Sequence, residues 1–194
     1  MGFIAENSYN QFMQTQTLYT IGHSNRSIED FIELLKVNEI EILADIRARP
    51  VSSRFPHFNQ PNLREALEKV DITYHWAGRQ LGGMRNPQDT SPHKALEDDQ
   101  LRGFADYMLT PDFERAATQL INLTRHATSV ILCAEKEPAF CHRSLIADYL
   151  VLQGATVLHI LDAEVTEHYL RSEARKESAE LIYDHGITAS LDLD

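Results

Sequence analysis

The stretch that decides the fold is residues 130–145, V-I-L-C-A-E-K-E-P-A-F-C-H-R-S-L. Its first part, Val130–Cys133, has the length and β-branched content of a buried strand, and the polar residues after it predict a loop. The segment that starts at Ser144 has the apolar spacing of a helix and reaches Gly154, a residue typical of a helix C-cap. The stretch therefore predicts a strand, a loop and a helix start, the arrangement at which α/β proteins place functional side chains.

The rest of the chain alternates strand patterns with helix patterns. Besides Val130–Cys133, the predicted strands are Leu18–Gly22, Ile40–Ile46, Ile72–Trp76 and Ala155–Leu161. The predicted helices are one capped by Ser27, one capped by Asn62, residues 95–109, and residues 112–125 with Thr110 as cap and Pro111 in the first turn. Such alternation favours a single-domain three-layer α/β sandwich with a mainly parallel β-sheet of about five strands, Rossmann-like in its layers.

Three regions follow from this pattern. Residues 1–17 are polar and lack a clean period, which predicts a loose N-terminal leader. Residues 18–162 form the single α/β domain. Residues 163–194 are charged and predict a C-terminal helical tail, helical near 164–182, that packs on or extends the same domain.

The bulk properties exclude several classes of protein. Among 194 residues, 43% are hydrophobic and 24% charged, which is ordinary for a soluble globular chain. The formal net charge of −11 argues against nucleic acid as a partner. No segment approaches the roughly 20 apolar residues of a membrane span, and the N-terminus lacks the features of a secretory signal. Two cysteines make no disulfide framework, so we expect a cytoplasmic protein.

Side chains with chemistry follow four of the predicted strands. Because the carboxyl ends of parallel strands meet at one edge of a sheet, we expect these side chains to lie together there. They are His23 and Asn25 after the first strand, Asp45, Arg47 and Arg49 at the second, and the loop Leu81-Gly82-Gly83 after the third. After the fourth comes the loop between Cys133 and Cys141, which we call the cysteine loop.

The same residues carry a resemblance to a known family. Thr20-Ile21-Gly22-His23-Ser24-Asn25, Asp45-x-Arg47-x-x-Pro50, Leu81-Gly82-Gly83, Phe104-x-x-Tyr107, Cys133-x-Glu135…Cys141-His142-Arg143 and His159-Ile160 resemble, in this order over about residues 18–162, the domain-of-unknown-function family 488. The resemblance implies a single α/β domain with a shared site at these motifs. It implies no substrate, because the family has no settled activity.

Cys141 and Cys133 are the candidate reactive groups. Cys141 precedes a helix and is followed by His142 and Arg143, all of which lower the pKa of a thiol. Cys133 ends a strand, as in thiol phosphatases and rhodanese-like transferases, but Arg143 follows it at too long a spacing for the phosphatase pattern. The alternative for Cys133 is a small buried core residue.

A metal site is a further alternative. Cys133, Cys141 and His142, with His23 from another loop, could supply four tetrahedral ligands, and zinc is the ion that such a set favours. Against this, the adjacent side chains of Cys141 and His142 would have to converge on one ion, and the sequence has no C-x-x-C pair. No cofactor is required by the sequence.

Arg143 and Arg47 are candidate ligands for an anion. Arg143 begins a helix, where free backbone N–H groups favour phosphate or carboxylate, and Arg47 and the Gly82-Gly83 loop could add donors. The alternative for Arg143 is an ion pair with Glu135 or Asp45.

Several neighbours complete the predicted site. Glu135 is either a general base or a group that orients His142 or Arg143, and His23 is a candidate for acid–base work. Asp45 ends an apolar strand, so it needs a partner such as Arg47 or His23. Ser24 and Asn25 are expected to contact the ligand. Tyr107 could stack on a ring of the ligand or pack in the core.

These observations predict an enzyme, a hydrolase or transferase, that binds a small anionic molecule, such as a nucleotide or another phosphate-bearing compound. The predicted catalytic residues are Cys133, Cys141, His142, Glu135, His23 and Asp45. The alternatives are a non-catalytic binding or sensing module with the same pocket, and a metal-dependent hydrolase.

Overall fold

The computed structural model describes residues 16–162, 164–178 and 180–185. Residues 1–15 and 186–194 therefore lie outside the described part, and with them most of the predicted N-terminal leader and the end of the predicted tail. Thr17, the last residue of that leader, already belongs to the first strand.

The described elements alternate as the sequence predicts as far as the fifth strand. The strands are β1 (Thr17–Gly22), β2 (Ile42–Asp45), β3 (Thr73–Trp76), β4 (Ser129–Cys133), β5 (Thr156–Leu161), β6 (Glu164–Glu167), β7 (Ala174–Glu177) and β8 (Glu180–Tyr183). The helices are α1 (Ile28–Val37), α2 (Gln60–Glu68), α3 (Gly78–Leu81), α4 (Asp99–Met108), α5 (Pro111–Thr124) and α6 (Arg143–Leu152). Two short 3-10 turns, Pro56–Phe58 and Pro138–Phe140, lie in the loops after β2 and β4.

A six-stranded sheet with the order β3-β2-β4-β1-β5-β6 forms the middle layer. The first five of these strands are parallel to their neighbours, and β6 pairs with β5 in the antiparallel sense. The prediction of a mainly parallel sheet is confirmed. The order differs from the 3-2-1-4-5-6 order of dinucleotide-binding folds, because β4 lies between β2 and β1.

Two hydrophobic clusters cover the two faces of this sheet and make the three predicted layers. On one face Phe31 and Leu35 of α1 and Leu63 of α2 pack against Ile21 and Val130. On the other face, residues of α4, α5 and α6 pack against the opposite side of the same strands. Strands buried on both faces explain why their sequences are nearly continuous apolar runs.

The helix ends agree with the residues that the sequence places there. The Ser27 side chain accepts a hydrogen bond from the Asp30 N–H, and the Thr110 side chain accepts one from the Phe113 N–H. Gly154 follows α6 with a φ of +87°, a conformation that glycine adopts without steric cost. The cap of α2 is Asn59 rather than the predicted Asn62.

The prediction of a helical tail is wrong for the described residues after 163. They form β6, which extends the main sheet beyond β5, and the antiparallel hairpin β7-β8. Leu181 and Tyr183 of β8 are buried in the same hydrophobic cluster as α4 to α6. The charged helical pattern is overridden because strand pairing, together with burial of Leu181, Ile182 and Tyr183 in β8, decides the structure here.

The two central strands create the opening in which the site lies. β1 and β4 are neighbours, yet β1 leads into α1 on one face and β4 leads into α6 on the other. Their carboxyl ends therefore stay uncovered between the two helix layers, and open α/β sheets bind ligands at such points. In the described part of the chain, no helix has the length and apolar content that a bilayer crossing requires.

Candidate functional site

A cavity of about 780 Å³ lies beyond the carboxyl ends of β1, β2 and β4. Its volume is in the range of small-molecule sites. The residues that line it come from the ends of these three strands and the loops after them, from the loop after α3 and from the start of α4: His23, Ser24, Asn25, Arg47, Ala48, Arg49, Val51, Ser52, Arg54, Phe55, Gly83, Met84, Asp98, Gln100, Leu101, Cys133, Ala134, Glu135, Lys136, Phe140, Cys141 and His142.

Two thiols and one imidazole meet on the cavity wall. His142 Nδ1 lies 3.8 Å from Cys133 Sγ and 3.7 Å from Cys141 Sγ. The ligand atoms of the three side chains all lie within 4.8 Å of one another, and all three residues are buried. We call Cys133, Cys141 and His142 the Cys/His cluster.

The backbone at the start of α6 explains how adjacent residues converge. Cys141 has extended dihedrals, φ −139° and ψ 141°, whereas His142 is helical, with φ −57° and ψ −15°. The change of direction between them turns both side chains toward Cys133, which removes the sequence-based objection to a shared centre.

Residues at the end of α3 and directly after it hold the imidazole of His142 in position. Its Nε2 lies 2.9 Å from the carbonyl oxygen of Leu81, which can only accept, so Nε2 carries the hydrogen and, in the neutral ring, Nδ1 has the lone pair. A Cβ atom on Gly83 would lie 2.5 Å from Nδ1. The absence of a side chain at Gly83 therefore keeps the face of the ring open.

The two thiols differ in acidity. The pKa of Cys141 is lowered well below its usual value, first by a hydrogen bond from the Cys133 thiol and then by His142. The pKa of Cys133 is raised by that same hydrogen bond and by burial. Of the pair, Cys141 is therefore the better thiolate, as the sequence predicts.

His23 lies on the cavity wall with a neutral imidazole. Its Nδ1 lies 2.9 Å from the carbonyl oxygen of Ser24, so Nδ1 donates and Nε2 is the acceptor. The ring stacks on Phe58 with 4.4 Å between ring centres. Burial, and secondly the charge of Arg47, lower the pKa of His23 to about 4. The side chain is thus a base near neutral pH.

Arg47 is held by the carboxylate at the end of β2. Its Nε lies 2.8 Å from Asp45 Oδ1 and its Nη2 lies 2.5 Å from Asp45 Oδ2, while the Tyr74 hydroxyl also donates to Oδ2. Asp45 is completely buried and does not line the cavity. The expected Asp45–Arg47 pair is present, and it places the Asp45 carboxylate behind Arg47 rather than on the cavity wall.

Arg143 does not line the cavity, contrary to the predicted role in binding an anion. It is buried, and its two Nη atoms donate to the carbonyl oxygens of Glu135 and Lys136. The alternative, an ion pair with Glu135 or Asp45, is also wrong, because the guanidinium binds backbone carbonyls rather than a carboxylate. Through these two hydrogen bonds Arg143 instead holds the backbone of the cysteine loop in place.

The remaining predicted residues divide into two sets. Ser24, Asn25, Gly83 and the exposed side chain of Glu135 line the cavity as expected. Gly82 and Tyr107 do not: a Cβ on Gly82 would meet Ala48, and the Tyr107 ring is covered by Arg85, whose Cζ lies 3.3 Å from the ring centre. The close passage of the chain and the cover of Arg85 keep both residues away from a ligand in the cavity.

Several residues of the cavity escaped the sequence analysis. The start of α4 contributes Asp98, Gln100 and Leu101, whose helical pattern gave no indication of a site. Phe140 and Lys136 lie in the cysteine loop and were not assigned roles. Arg54, in the loop after β2, was likewise given no role.

Comparison of the sequence with models of protein families gives a match. The model of the family described as Domain of unknown function DUF488 matches residues 27–150. The match spans more than half of the chain, and the chain belongs to this family. No curated protein and no solved structure matches it.

Proposed function

We propose that this member of the DUF488 family is an enzyme, a hydrolase or transferase, that binds a small phosphate-bearing molecule of the nucleotide class. The ligand occupies the cavity beyond β1, β2 and β4, and the Cys/His cluster on the cavity wall is the reactive centre. A cytoplasmic location is part of the proposal, supported by two free thiols.

The observation that carries the proposal is the basic wall of the cavity. The segment 46–59, which follows β2, contains three arginines and no acidic residue, although the whole chain has a net charge of −11. Arg47, Arg49 and Arg54 all line the cavity, and the last two are exposed. Arginine side chains in a concave site favour phosphate, which they bind through charge-assisted hydrogen bonds.

The acidic side chains of the cavity lie apart from the basic segment 46–59. Glu135 belongs to the cysteine loop and Asp98 to the start of α4, where its side chain accepts a hydrogen bond from the Leu101 N–H. Lys136 is paired with Asp162 at 2.5 Å. The arrangement gives the cavity a positive wall and a more acidic one, which suits a ligand with an anionic group at one end only.

Exposed apolar side chains support a ligand with a second, less polar part. Val51 is 75% exposed, Met84 57% and Phe140 78%, and all three line the cavity. Such side chains provide surfaces for a base or another planar group. A nucleotide has both parts: a phosphate that can bind the arginines and a ring that can contact these apolar side chains.

Proton transfer falls to His23 in this proposal. Its Nε2 is an acceptor near neutral pH, and its loop is joined to the end of β4 because the His23 N–H donates to the Cys133 carbonyl at 3.0 Å. Two chemistries fit the Cys/His cluster beside it: a thiolate nucleophile at Cys141, and a metal ion held by all three side chains.

Ligand-induced thermal shifts test the binding half of the proposal. The probes are inorganic phosphate, nucleoside monophosphates and the same nucleosides without phosphate. We expect the phosphate-bearing probes to stabilise the wild type. The double variant Arg49→Ala/Arg54→Ala should bind at least about tenfold more weakly, since each lost charge-assisted hydrogen bond costs roughly 1.5–3 kcal/mol.

Arg115→Ala is the matched control, because Arg115 is an exposed arginine of α5 that does not line the cavity. Equal affinity in wild type and double variant, or no response to any phosphate-bearing probe, would contradict the proposal. Phosphorus NMR of the bound probe over time then separates an enzyme from a binding or sensing module, because only an enzyme converts it.

A further inference from the structure

The geometry of the Cys/His cluster points to a metal site. We infer that Cys133, Cys141 and His142 are three ligands for a thiophilic divalent cation of the zinc class, with a fourth position open to the cavity. This inference rests on the proposed function for its substrate and gives that function its reactive centre.

The distances match those of a bound ion. With Zn–S of about 2.3 Å and Zn–N of about 2.0–2.1 Å, the sulfur–nitrogen edge of a tetrahedral site is about 3.6 Å. The two sulfur–nitrogen distances in the cluster are 3.8 and 3.7 Å. Both sulfur–nitrogen edges therefore suit a bound ion after shifts of a few tenths of an ångström.

A metal ion can contact all three side chains of the cluster at once, whereas each hydrogen bond joins only two of them. His142 Nδ1 has one lone pair, yet two thiols lie at similar distances from it. Only one S–H can donate to that lone pair. A divalent cation with two thiolates and a neutral imidazole has no net charge, so the set suits its buried position.

The outer contacts of His142 are those of a metal ligand. Ligating histidines almost always donate their second ring N–H to a carbonyl or carboxylate, which fixes the tautomer and the direction of the lone pair. Here Nε2 donates to the Leu81 carbonyl at 2.9 Å, so the lone pair of Nδ1 faces the two sulfur atoms.

Three ligands on a cavity wall leave the fourth position accessible. All three side chains line the cavity that also contains the basic wall of segment 46–59. Structural zinc sites are closed by four protein ligands, whereas catalytic ones keep an open position for water or substrate. An ion here would polarise an oxygen of a phosphate-bearing ligand, as Lewis-acid sites do.

Metal content and cobalt spectra test the inference on the wild-type chain. We expect protein purified without chelator to contain about one zinc ion per chain. After the ion is removed, Co²⁺ should bind with one-to-one stoichiometry and give the intense visible bands of a tetrahedral site and a sulfur-to-cobalt charge-transfer band. A spectrum typical of octahedral cobalt with oxygen ligands, or no binding, would overturn the inference.

Variants assign the ligands. Cys133→Ser, Cys141→Ser and His142→Asn should each weaken Co²⁺ binding by more than the roughly 10- to 100-fold that loss of an outer-shell partner costs. His159→Gln is the control, because His159 is a buried histidine of β5 outside the cluster. It should bind Co²⁺ like the wild type, and wild-type affinity in the three cluster variants would overturn the assignment.

Thiol reactivity needs no variant and stays informative if the substituted proteins fail to fold. Zinc should slow alkylation of both cysteines in the wild type, and a chelator should restore it. Equal rates with and without zinc would contradict the inference.

Phosphate binding separates this inference from the proposed function. If metal-free wild type binds phosphate through Arg49 and Arg54 but no Co²⁺, the metal inference fails and the proposed function stands. If Co²⁺ binds to the cluster and no phosphate-bearing probe binds, the metal inference stands and the proposed function fails.

Discussion

Gly22 lies against the carbonyl oxygen of Glu135, so closely that a Cβ atom on Gly22 would overlap it. The contact joins the end of β1 to the loop between Cys133 and Cys141. It is reinforced by the next two residues, because the N–H groups of His23 and Ser24 donate to the carbonyls of Cys133 and Ala134 at 3.0 and 2.9 Å. The two loops that flank the cavity are thus built as one unit.

Gly22→Ala should therefore disturb the site more than the small size of the added methyl group suggests. The added methyl group meets backbone rather than a movable side chain, so we expect a loss of about 3 kcal/mol or more in the free energy of unfolding. Gly154→Ala is the control, since Gly154 has a positive φ and nothing near its Cβ position. It should cost only about 1–2 kcal/mol. Urea unfolding of both variants checks this, and similar losses would show that the contact is unimportant.

Gly83→Ala tests the position of the His142 ring. The new methyl group would lie 2.5 Å from Nδ1 and 2.6 Å from Cγ, so the ring has to leave its present position beside the thiols. We expect Co²⁺ affinity to fall about 10- to 100-fold, the effect of losing an outer-shell constraint. The far-ultraviolet circular dichroism should stay unchanged. Unaltered Co²⁺ affinity would mean that the ring adapts or that His142 is no ligand.

Arg143→Lys separates a positioning role from ligand contact. Lysine cannot donate to the carbonyls of Glu135 and Lys136 in the same planar geometry, so one of these hydrogen bonds is lost. We expect hydrogen exchange in residues 134–141 to become faster and stability to fall by about 1.5–3 kcal/mol.

Phosphate affinity of the folded Arg143→Lys protein is the second readout. It should fall less than in Arg49→Ala/Arg54→Ala, because Arg143 does not line the cavity. The reverse result, with a large loss of phosphate affinity and unchanged exchange in the loop, would return Arg143 to the ligand-binding set.

A chain of buried hydrogen bonds ties the C-terminal strands to α6. Asp148 can only accept, and it lies 2.9 Å from His168 Nε2 and 3.0 Å from the Tyr183 hydroxyl. His168 Nδ1 is therefore an acceptor and receives the Nε2 hydrogen of His159 at 2.9 Å. His159 Nδ1 accepts in turn from the Thr20 hydroxyl at 2.7 Å.

His159, within this series of hydrogen bonds, predicts how the free energy of unfolding depends on pH. Burial, with smaller effects of His168 and Arg143, lowers the pKa of His159 to about 3. The unfolded chain binds a proton at His159 below about pH 6.5 while the folded chain does not, so stability falls as the pH is lowered from 6.5 toward 3. His159→Gln should reduce this slope by up to about 1.4 kcal/mol per pH unit. Urea unfolding at pH 7, 6 and 5 measures it, and an unchanged slope would contradict the assignment.

The sequence predicts the fold well where burial and capping act locally. Strands β2 and β4 are largely apolar because both faces of the sheet are covered there, and Ser27, Thr110 and Gly154 mark helix ends through their own side chains or conformation. The prediction of a helical tail fails because β6, β7 and β8 depend on partners: Glu164–Glu167 has an exposed, charged sequence and becomes a strand by pairing with β5.

The candidate site shows the same limit. Its location follows from parallel strands, and most of the named residues of the loops after β1 and β4 do line the cavity. The role of Arg143 could not be predicted, because the direction of a buried side chain depends on the loop that folds over it. The convergence of Cys141 and His142 likewise depends on a change in backbone dihedrals that residue types do not specify.

Protection of the thiols by a ligand tests most directly the claim that the basic wall and the Cys/His cluster form one site. The measurement is the rate of cysteine alkylation in metal-free wild type at increasing concentrations of a nucleoside monophosphate. We predict that the rate falls with the same midpoint as the thermal shift, and that the protection disappears in Arg49→Ala/Arg54→Ala but persists in Arg115→Ala. An alkylation rate that stays constant at nucleotide concentrations that saturate the thermal shift would contradict the claim.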